Sequence, residues 1–180
     1  MTRLKEKYNK EVIPALVKEF NYKNSMAVPK IAKVVINVGI GKISKEKKAI
    51  EHIESDVMKL TGQKPSLRLA KKSIAGFKVR EGMPVGIVVT LRGSRMYDFI
   101  DRFISIALPR SRDFRGIDPD NIDTNGNLNL GITEHNIFPE VTYESVKDIF
   151  GLQITVNTTA KTKGEGFLLL SALGFPFKKT

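Results

Sequence analysis

Few residues in this chain have the types and spacing that chemistry needs. Gly39-Ile40-Gly41-Lys42-Ile43-Ser44 lies between a predicted strand and a predicted helix, the setting of phosphate-cradling loops. A Walker loop spaces its glycines more widely and puts Ser or Thr directly after the lysine, where this chain has Ile43. The dinucleotide fingerprint fails as well, because Ser44 stands where its third glycine belongs. The segment reads as a tight turn that starts a helix at Ser44. His52 and His135 belong to no HExxH or paired His–acid motif, and no GxSxG elbow occurs. Asp118, Asp120 and Asp123 are close in sequence but lack the glycine and closing glutamate of an EF-hand loop. Cysteine is absent, which removes disulfides, thiolate metal sites and thiol nucleophiles together. The residues predict no catalytic site, no metal and no cofactor.

What remains is charge and its distribution. The chain carries 30 Lys+Arg against 19 Asp+Glu, a net of +11. Residues 1–80 hold 19 bases and 7 acids, whereas residues 81–180 hold 11 and 12. Within the second part, the stretch 113–148 has eight acids and only Arg115 and Lys147 as bases. A basic part and an acidic stretch point to two kinds of partner. No apolar run approaches the roughly 18 residues of a membrane span, and the start of the chain has no signal-peptide core. No membrane partner is expected.

The elements that would position these charges follow from periodicity. Leu4, Tyr8, Val12, Leu16 and Phe20 recur every four residues and predict a helix over 3–20, which Pro14 kinks or restarts. A strand over 26–38 has its core at Ile31–Val38. A helix follows, with Ser44 as N-cap, a stripe of Ile50, Ile53, Val57 and Leu60, and Gly62 as its stop. Pro65 opens a short strand, 66–70. Residues 71–84 mix bases with glycines and have no regular period, so they predict a long exposed loop. The strand 85–92 puts Ile87, Val89 and Leu91 on one face and Gly86, Val88, Thr90 and Arg92 on the other. Ser94 is the expected cap of a helix with Phe99, Ile100, Phe103, Ile104 and Ala107 inside, ended by Pro109. Alternating strands at 128–132 and 152–159 and a last helix over 164–173 complete the pattern. The fold class expected is α+β: a single domain over 1–180, with an antiparallel-rich sheet, helices on one face and the other face open to RNA.

The RNA reading comes from what is interleaved with the bases. Lys30, Lys33, Lys64, Arg68, Lys71, Lys72, Lys78 and Arg80 can neutralise phosphates. Asn37, Gln63, Ser66 and Thr90 lie among them, suited to ribose hydroxyls and base edges in the shallow groove of folded RNA. No helix-turn-helix, zinc finger or basic zipper is present, and the strands lack RRM aromatics.

Blocks along nearly the whole chain then carry a resemblance. They are Leu60-Thr61-Gly62-Gln63-Lys64-Pro65, Ala70-Lys71-Lys72-Ser73-Ile74-Ala75, Arg80-Glu81-Gly82-Met83-Pro84 and Val89-Thr90-Leu91-Arg92-Gly93. Leu108-Pro109-Arg110, Arg112-Asp113-Phe114, Ile137-Phe138-Pro139-Glu140 and Phe175-Pro176-Phe177 continue the series. Together they resemble the bacterial large-subunit ribosomal protein five family, which binds 5S ribosomal RNA. The resemblance implies a non-catalytic component of the cytoplasmic large subunit that attaches 5S rRNA in the central protuberance. Its neighbours there would be 23S rRNA and other central-protuberance proteins. Carried over by motif, Asn37, Gln63 and Thr90 would hydrogen-bond 5S rRNA, with Lys33, Ser66 and Arg68 close by. The loop 71–84 would reach the P-site tRNA and set Lys72, Lys78 and Arg80 against its backbone. The family also contacts small-subunit ribosomal protein thirteen. That basic partner suits the acidic stretch, with Asp118, Asp120 and Glu134 as the expected contacts. One departure stands out: Asp123-Thr124-Asn125-Gly126-Asn127 replaces the usual Asp-Gly-Arg-Gly-Asn and loses an arginine.

Overall fold

Leu4, Tyr8, Val12 and Leu16 are all buried, so the four-residue spacing becomes one apolar stripe, while Phe20 at its end is exposed. In the computed structural model, which describes residues 2–43, 46–112, 114–141 and 149–178, that stripe runs through three helical segments. They are α1 (Arg3–Lys7), a π turn (Tyr8–Val12) and α2 (Ile13–Phe20). Proline lacks an N–H and its ring opposes the carbonyl four residues back. Here the N–H of Ile13, just before Pro14, bonds to the Tyr8 carbonyl five residues back, and the helix continues. The same device recurs at Pro109. A π turn at Phe103–Ala107 lets the Leu108 N–H reach Phe103, and one further turn, Leu108–Arg110, carries the helix past the proline expected to end it.

Two other boundaries differ from the sequence reading. The first strand, β1, spans Ile31–Gly39 and does not begin at Met26. The Asn24 side chain accepts the Met26 N–H and closes a 3-10 turn over Ser25–Ala27 instead. The next helix, α3 (Lys47–Thr61), has Glu46 at its N-cap and ends at Gly62 with φ +66°. Its expected cap, Ser44, lies outside the described residues, as do Asp113, Glu144, Lys147 and Asp148 of the acidic stretch. After β2 (Ser66–Leu69) and β3 (Pro84–Leu91), helix α4 spans Gly93–Arg102. Arg92, not Ser94, holds the α4 N-cap, and Gly93 at φ +63° makes the turn that a capping side chain was expected to make. The three-residue α5 (Leu108–Arg110), β4 (Leu128–Ile132), β5 (Leu152–Thr158) and α6 (Lys163–Leu173) follow along the described residues. Thr162 caps α6 by accepting the Glu165 N–H.

The strands form one five-stranded antiparallel sheet in the order β2-β3-β1-β5-β4. Burial alternates with period two. Val34, Ile36 and Val38 of β1, Ile87, Val89 and Leu91 of β3, and Leu152, Ile154 and Val156 of β5 are buried, as their spacing predicts. Between them stand half-exposed or exposed residues, among them Lys33, Asn37 and Thr90. The chain forms two compact units. The first is Met1–Val34, Leu91–Leu130 and Thr155–Thr180; the second is Val35–Thr90 and Gly131–Ile154.

Candidate nucleic-acid interface

The second unit holds most of the residues expected to read RNA. Strands β2 and β3 pair antiparallel with Ser66 opposite Val88 and Arg68 opposite Gly86. Directly opposed residues share a face, so Ser66 and Arg68 lie with Gly86, Val88 and, two residues on, Thr90. Asn37 reaches the same place from β1. A Cβ built on Gly86 would lie 3.6 Å from Asn37 Oδ1 and 3.9 Å from Arg68 Cβ. Gly86 has no positive φ, and its nearest such contact, Val38 O at 3.5 Å, is ordinary. Gly86 itself is buried between Asn37 and Arg68, and a Cβ there would meet both at ordinary contact distance.

Gln63 joins this face through the turn that ends α3. The buried Thr61 hydroxyl donates to the Val57 carbonyl at 2.7 Å and accepts the Gln63 N–H at 3.3 Å. That turn aims the Gln63 amide at β3, where its Nε2 donates to the Thr90 carbonyl at 3.4 Å. Asn37, Ser66 and Arg68 are exposed, and Gln63 and Thr90 are half-exposed. Lys33 lies on the same face of β1 as Asn37 but belongs to the first unit.

The loop between β2 and β3 is exposed, as expected, yet it is built. Ile74 and Val79 exchange both backbone hydrogen bonds, at 2.9 and 3.2 Å, and close the tip Ala75–Lys78. Ala70 accepts the Gly82 N–H and donates to Met83 O, while the Ser73 hydroxyl accepts the Glu81 N–H. Lys72, Lys78 and Arg80 are exposed, and among the described residues none of them forms an ion pair.

The acids behave differently. Lys163 Nζ lies 2.9 Å from Asp120 and Lys178 Nζ lies 3.6 Å from Asp118. The Lys163 hydrogen bond and charge hold the Asp120 carboxyl below the usual range. Glu134 accepts a hydrogen bond from the Asn136 amide at 2.8 Å. Burial pushes the Asp123 carboxyl up, but hydrogen bonds from Asn127 and Asn125 outweigh it and leave it low. The altered loop is explained in part by this geometry. Asp123 and Asn127 build the turn, and a Cβ on Gly166 would collide with Gly126, whereas Thr124 and Asn125 are exposed. The two positions that depart from the run the resemblance implies, Thr124 and Asn125, are thus the solvent-facing ones.

Neither histidine is arranged for catalysis. His52 sits 3.6 Å from the buried Asp56, which also pairs with Lys59 at 3.1 Å. His135 is fully buried, stacks on Phe150 with centroids 4.0 Å apart, and accepts the Phe150 N–H at Nδ1. The glycine pair at Gly39 and Gly41 leads into a 3-10 turn, Gly41–Ile43, and α3 starts only at Lys47, so no helix N-terminus follows the lysine directly. Among the described residues no group of three or more His, Asp or Glu could hold a metal ion, and no helix is long and apolar enough to cross a membrane.

Some polar positions escaped the sequence reading. Gln153, Thr155 and Asn157 alternate with the buried residues of β5, and the Thr155 hydroxyl donates to Asn129 of β4 at 2.9 Å. The same alternation that marked Leu152, Ile154 and Val156 as core contained this signal.

Comparison with known proteins agrees with the blocks quoted above. Residues 24–80 match the family model for ribosomal protein L5, and residues 84–177 match the model for the C-terminus of the same ribosomal family. The large ribosomal subunit protein uL5 of Caldanaerobacter subterraneus subsp. tengcongensis is 52% identical over 179 residues, covering 99% of this chain and all of the relative. The proteins of the same name from a Thermoanaerobacter species and from Marinomonas are 53% and 50% identical, each over 99% of this chain and 100% of its own length. The chain therefore belongs to the ribosomal protein L5 (uL5) family of large-subunit proteins.

Proposed function

We propose that this protein is a non-catalytic constituent of the cytoplasmic large ribosomal subunit that binds 5S rRNA through the uncovered face of its sheet. The observation that carries the reading is the grouping of Asn37, Arg68 and Gly86 on three adjacent strands, with Ser66, Thr90 and Gln63 beside them. Amides and hydroxyls on a sheet suit ribose hydroxyls and base edges. Lys33 and Arg68 supply charge for phosphates. The other large-subunit partners are 23S rRNA and the proteins of the central protuberance.

The loop 71–84 reaches the P-site tRNA, with Lys72, Lys78 and Arg80 on its backbone; their exposure and lack of ion pairs among the described residues favour that use. Asp118, Asp120 and Glu134 face small-subunit protein thirteen across the subunit boundary. Asp118 and Asp120 pair with lysines of this chain, which the bases of that partner would have to displace.

Changing Asn37, Gln63 and Thr90 together to Ala tests the sheet-face reading. Losing three hydrogen bonds of about 1 kcal/mol each should weaken 5S rRNA binding about 100-fold in a filter assay. A parallel melting curve must show that the fold survives, because Gln63 also bonds within the chain. Unchanged affinity overturns the assignment.

A further inference from the structure

Phe77 is a side chain that the fold alone does not explain. It is 79% exposed, and Ile74 beside it is 50% exposed, at the tip of the loop between β2 and β3. An apolar ring that far from the core loses the burial that normally places it. The tip nevertheless holds it firmly. The Ile74–Val79 pair closes the turn, Phe77 donates its N–H to Ile74 O, and Lys78 donates to Ala75 O. Lys78 adopts φ +53°, a left-handed conformation that a residue with a Cβ seldom takes. Strain of this kind in an exposed turn is commonly tied to function.

The surroundings select the chemistry of the partner. Between Lys64 and Gly86 the sequence has six bases, Lys64, Arg68, Lys71, Lys72, Lys78 and Arg80, and one acid, Glu81. A partner that satisfies both the cations and the ring must be anionic along its backbone and offer a flat apolar face. Nucleic acid does both, provided that the base is unpaired and its face open, as in an RNA loop.

We infer that Phe77, supported by Ile74, stacks on an unpaired nucleobase of the tRNA that this loop meets. The inference rests on the loop reading above and adds the aromatic contact to it. Lys72, Lys78 and Arg80 then hold phosphates, while Phe77 supplies a contact that salt does not screen.

The test uses ribosomes assembled with variant protein and measures release of P-site tRNA at several salt concentrations. Loss of one stacked base corresponds to about a 5- to 100-fold faster release. F77A should show that acceleration with the salt dependence unchanged, F77L should resemble F77A, and F77W should retain tRNA like the parent. The triple change of Lys72, Lys78 and Arg80 to Ala should instead flatten the salt dependence. All variants should bind 5S rRNA normally, which checks their folding. If F77A and F77L leave release unchanged while the triple variant speeds it, the stacking inference fails and the loop reading stands. If F77L behaves like the parent while F77A does not, the contact is an ordinary apolar one and stacking is refuted. If no variant changes release, the loop reading fails as well.

Discussion

Two charged regions of this molecule treat their charges in opposite ways. In the acidic region, Asp118 meets Lys178, Asp120 meets Lys163, Asp123 is tied down by Asn125 and Asn127, and Glu134 accepts from Asn136. In the basic region, Arg68, Lys72, Lys78 and Arg80 are exposed and, among the described residues, have no ion pair. Net charge does not show this difference: among the described residues, these acids have partners within the chain and these bases have no ion pair. The lesson is that a sum of charges does not say which charges are already paired within the chain.

The sharpest way to break this comparison is to add a side chain at the buried Gly86. Gly86→Ala places a Cβ at ordinary contact distances, so the fold should gain about 0.5–1 kcal/mol from the strand. The 5S rRNA affinity should fall about tenfold, about 1.4 kcal/mol, because the added methyl stands between Asn37 and Arg68 and limits the positions they can take toward RNA. A more stable protein with undiminished binding would show that the arrangement of Asn37 and Arg68 is not used.

An intermediate effect is expected where an acid is satisfied most fully at home. Burial pushes the Glu165 carboxyl up, but hydrogen bonds from the Tyr22 hydroxyl and the Lys161 N–H outweigh it and leave it below the usual range. A carboxylate held low in the folded state stabilises it above the unfolded value, and that contribution is lost as pH falls through the folded one. Glu165→Gln should therefore lower the melting temperature at neutral pH and flatten its decline in acid. Thr162→Ala, which removes the cap itself, should cost about 1 kcal/mol. At the alkaline end, burial first and Glu165 second push the Tyr22 phenol up to about 12. Its neutral form stabilises the fold below about pH 10, and the benefit disappears between there and about 12. Tyr22→Phe should remove that alkaline slope in a pH series of melting curves.

The smallest effects belong to the acids expected at the subunit boundary. Lys163→Ala and Lys178→Ala each break an exposed pair and should leave the melting temperature almost unchanged. Reversing the charge of Asp118, Asp120 and Glu134 should loosen subunit association at moderate salt, read by sedimentation. An unchanged profile would remove the protein-contact assignment and leave these acids a purely internal role.

Much of this was legible from residue types. Period-two alternation identified β3 and β5 and the open positions Asn37 and Thr90, because a strand must turn alternate side chains to opposite faces. The blocks around Gln63 and Arg80 carried the family. Hydrogen-bond register was not legible. Pro109 reads as a stop, and nothing in Phe103–Ala107 announces the π turn that carries the helix past it. Ser94 looks like a cap, but Gly93 makes the turn through backbone geometry. The loop tip was hidden for the same reason: Lys78 takes a left-handed conformation usually marked by Gly or Asn.

The central claim is that uncharged polar groups on the open sheet face select one folded RNA, while the open cations bind any phosphate chain. Its most direct test is the affinity of the purified protein for 5S rRNA and for an unrelated duplex of equal length, measured across a range of salt. The account predicts that 5S rRNA binds at least about 100-fold more tightly, with the preference persisting as salt rises and both affinities fall. Equal affinities with the same salt dependence would contradict it.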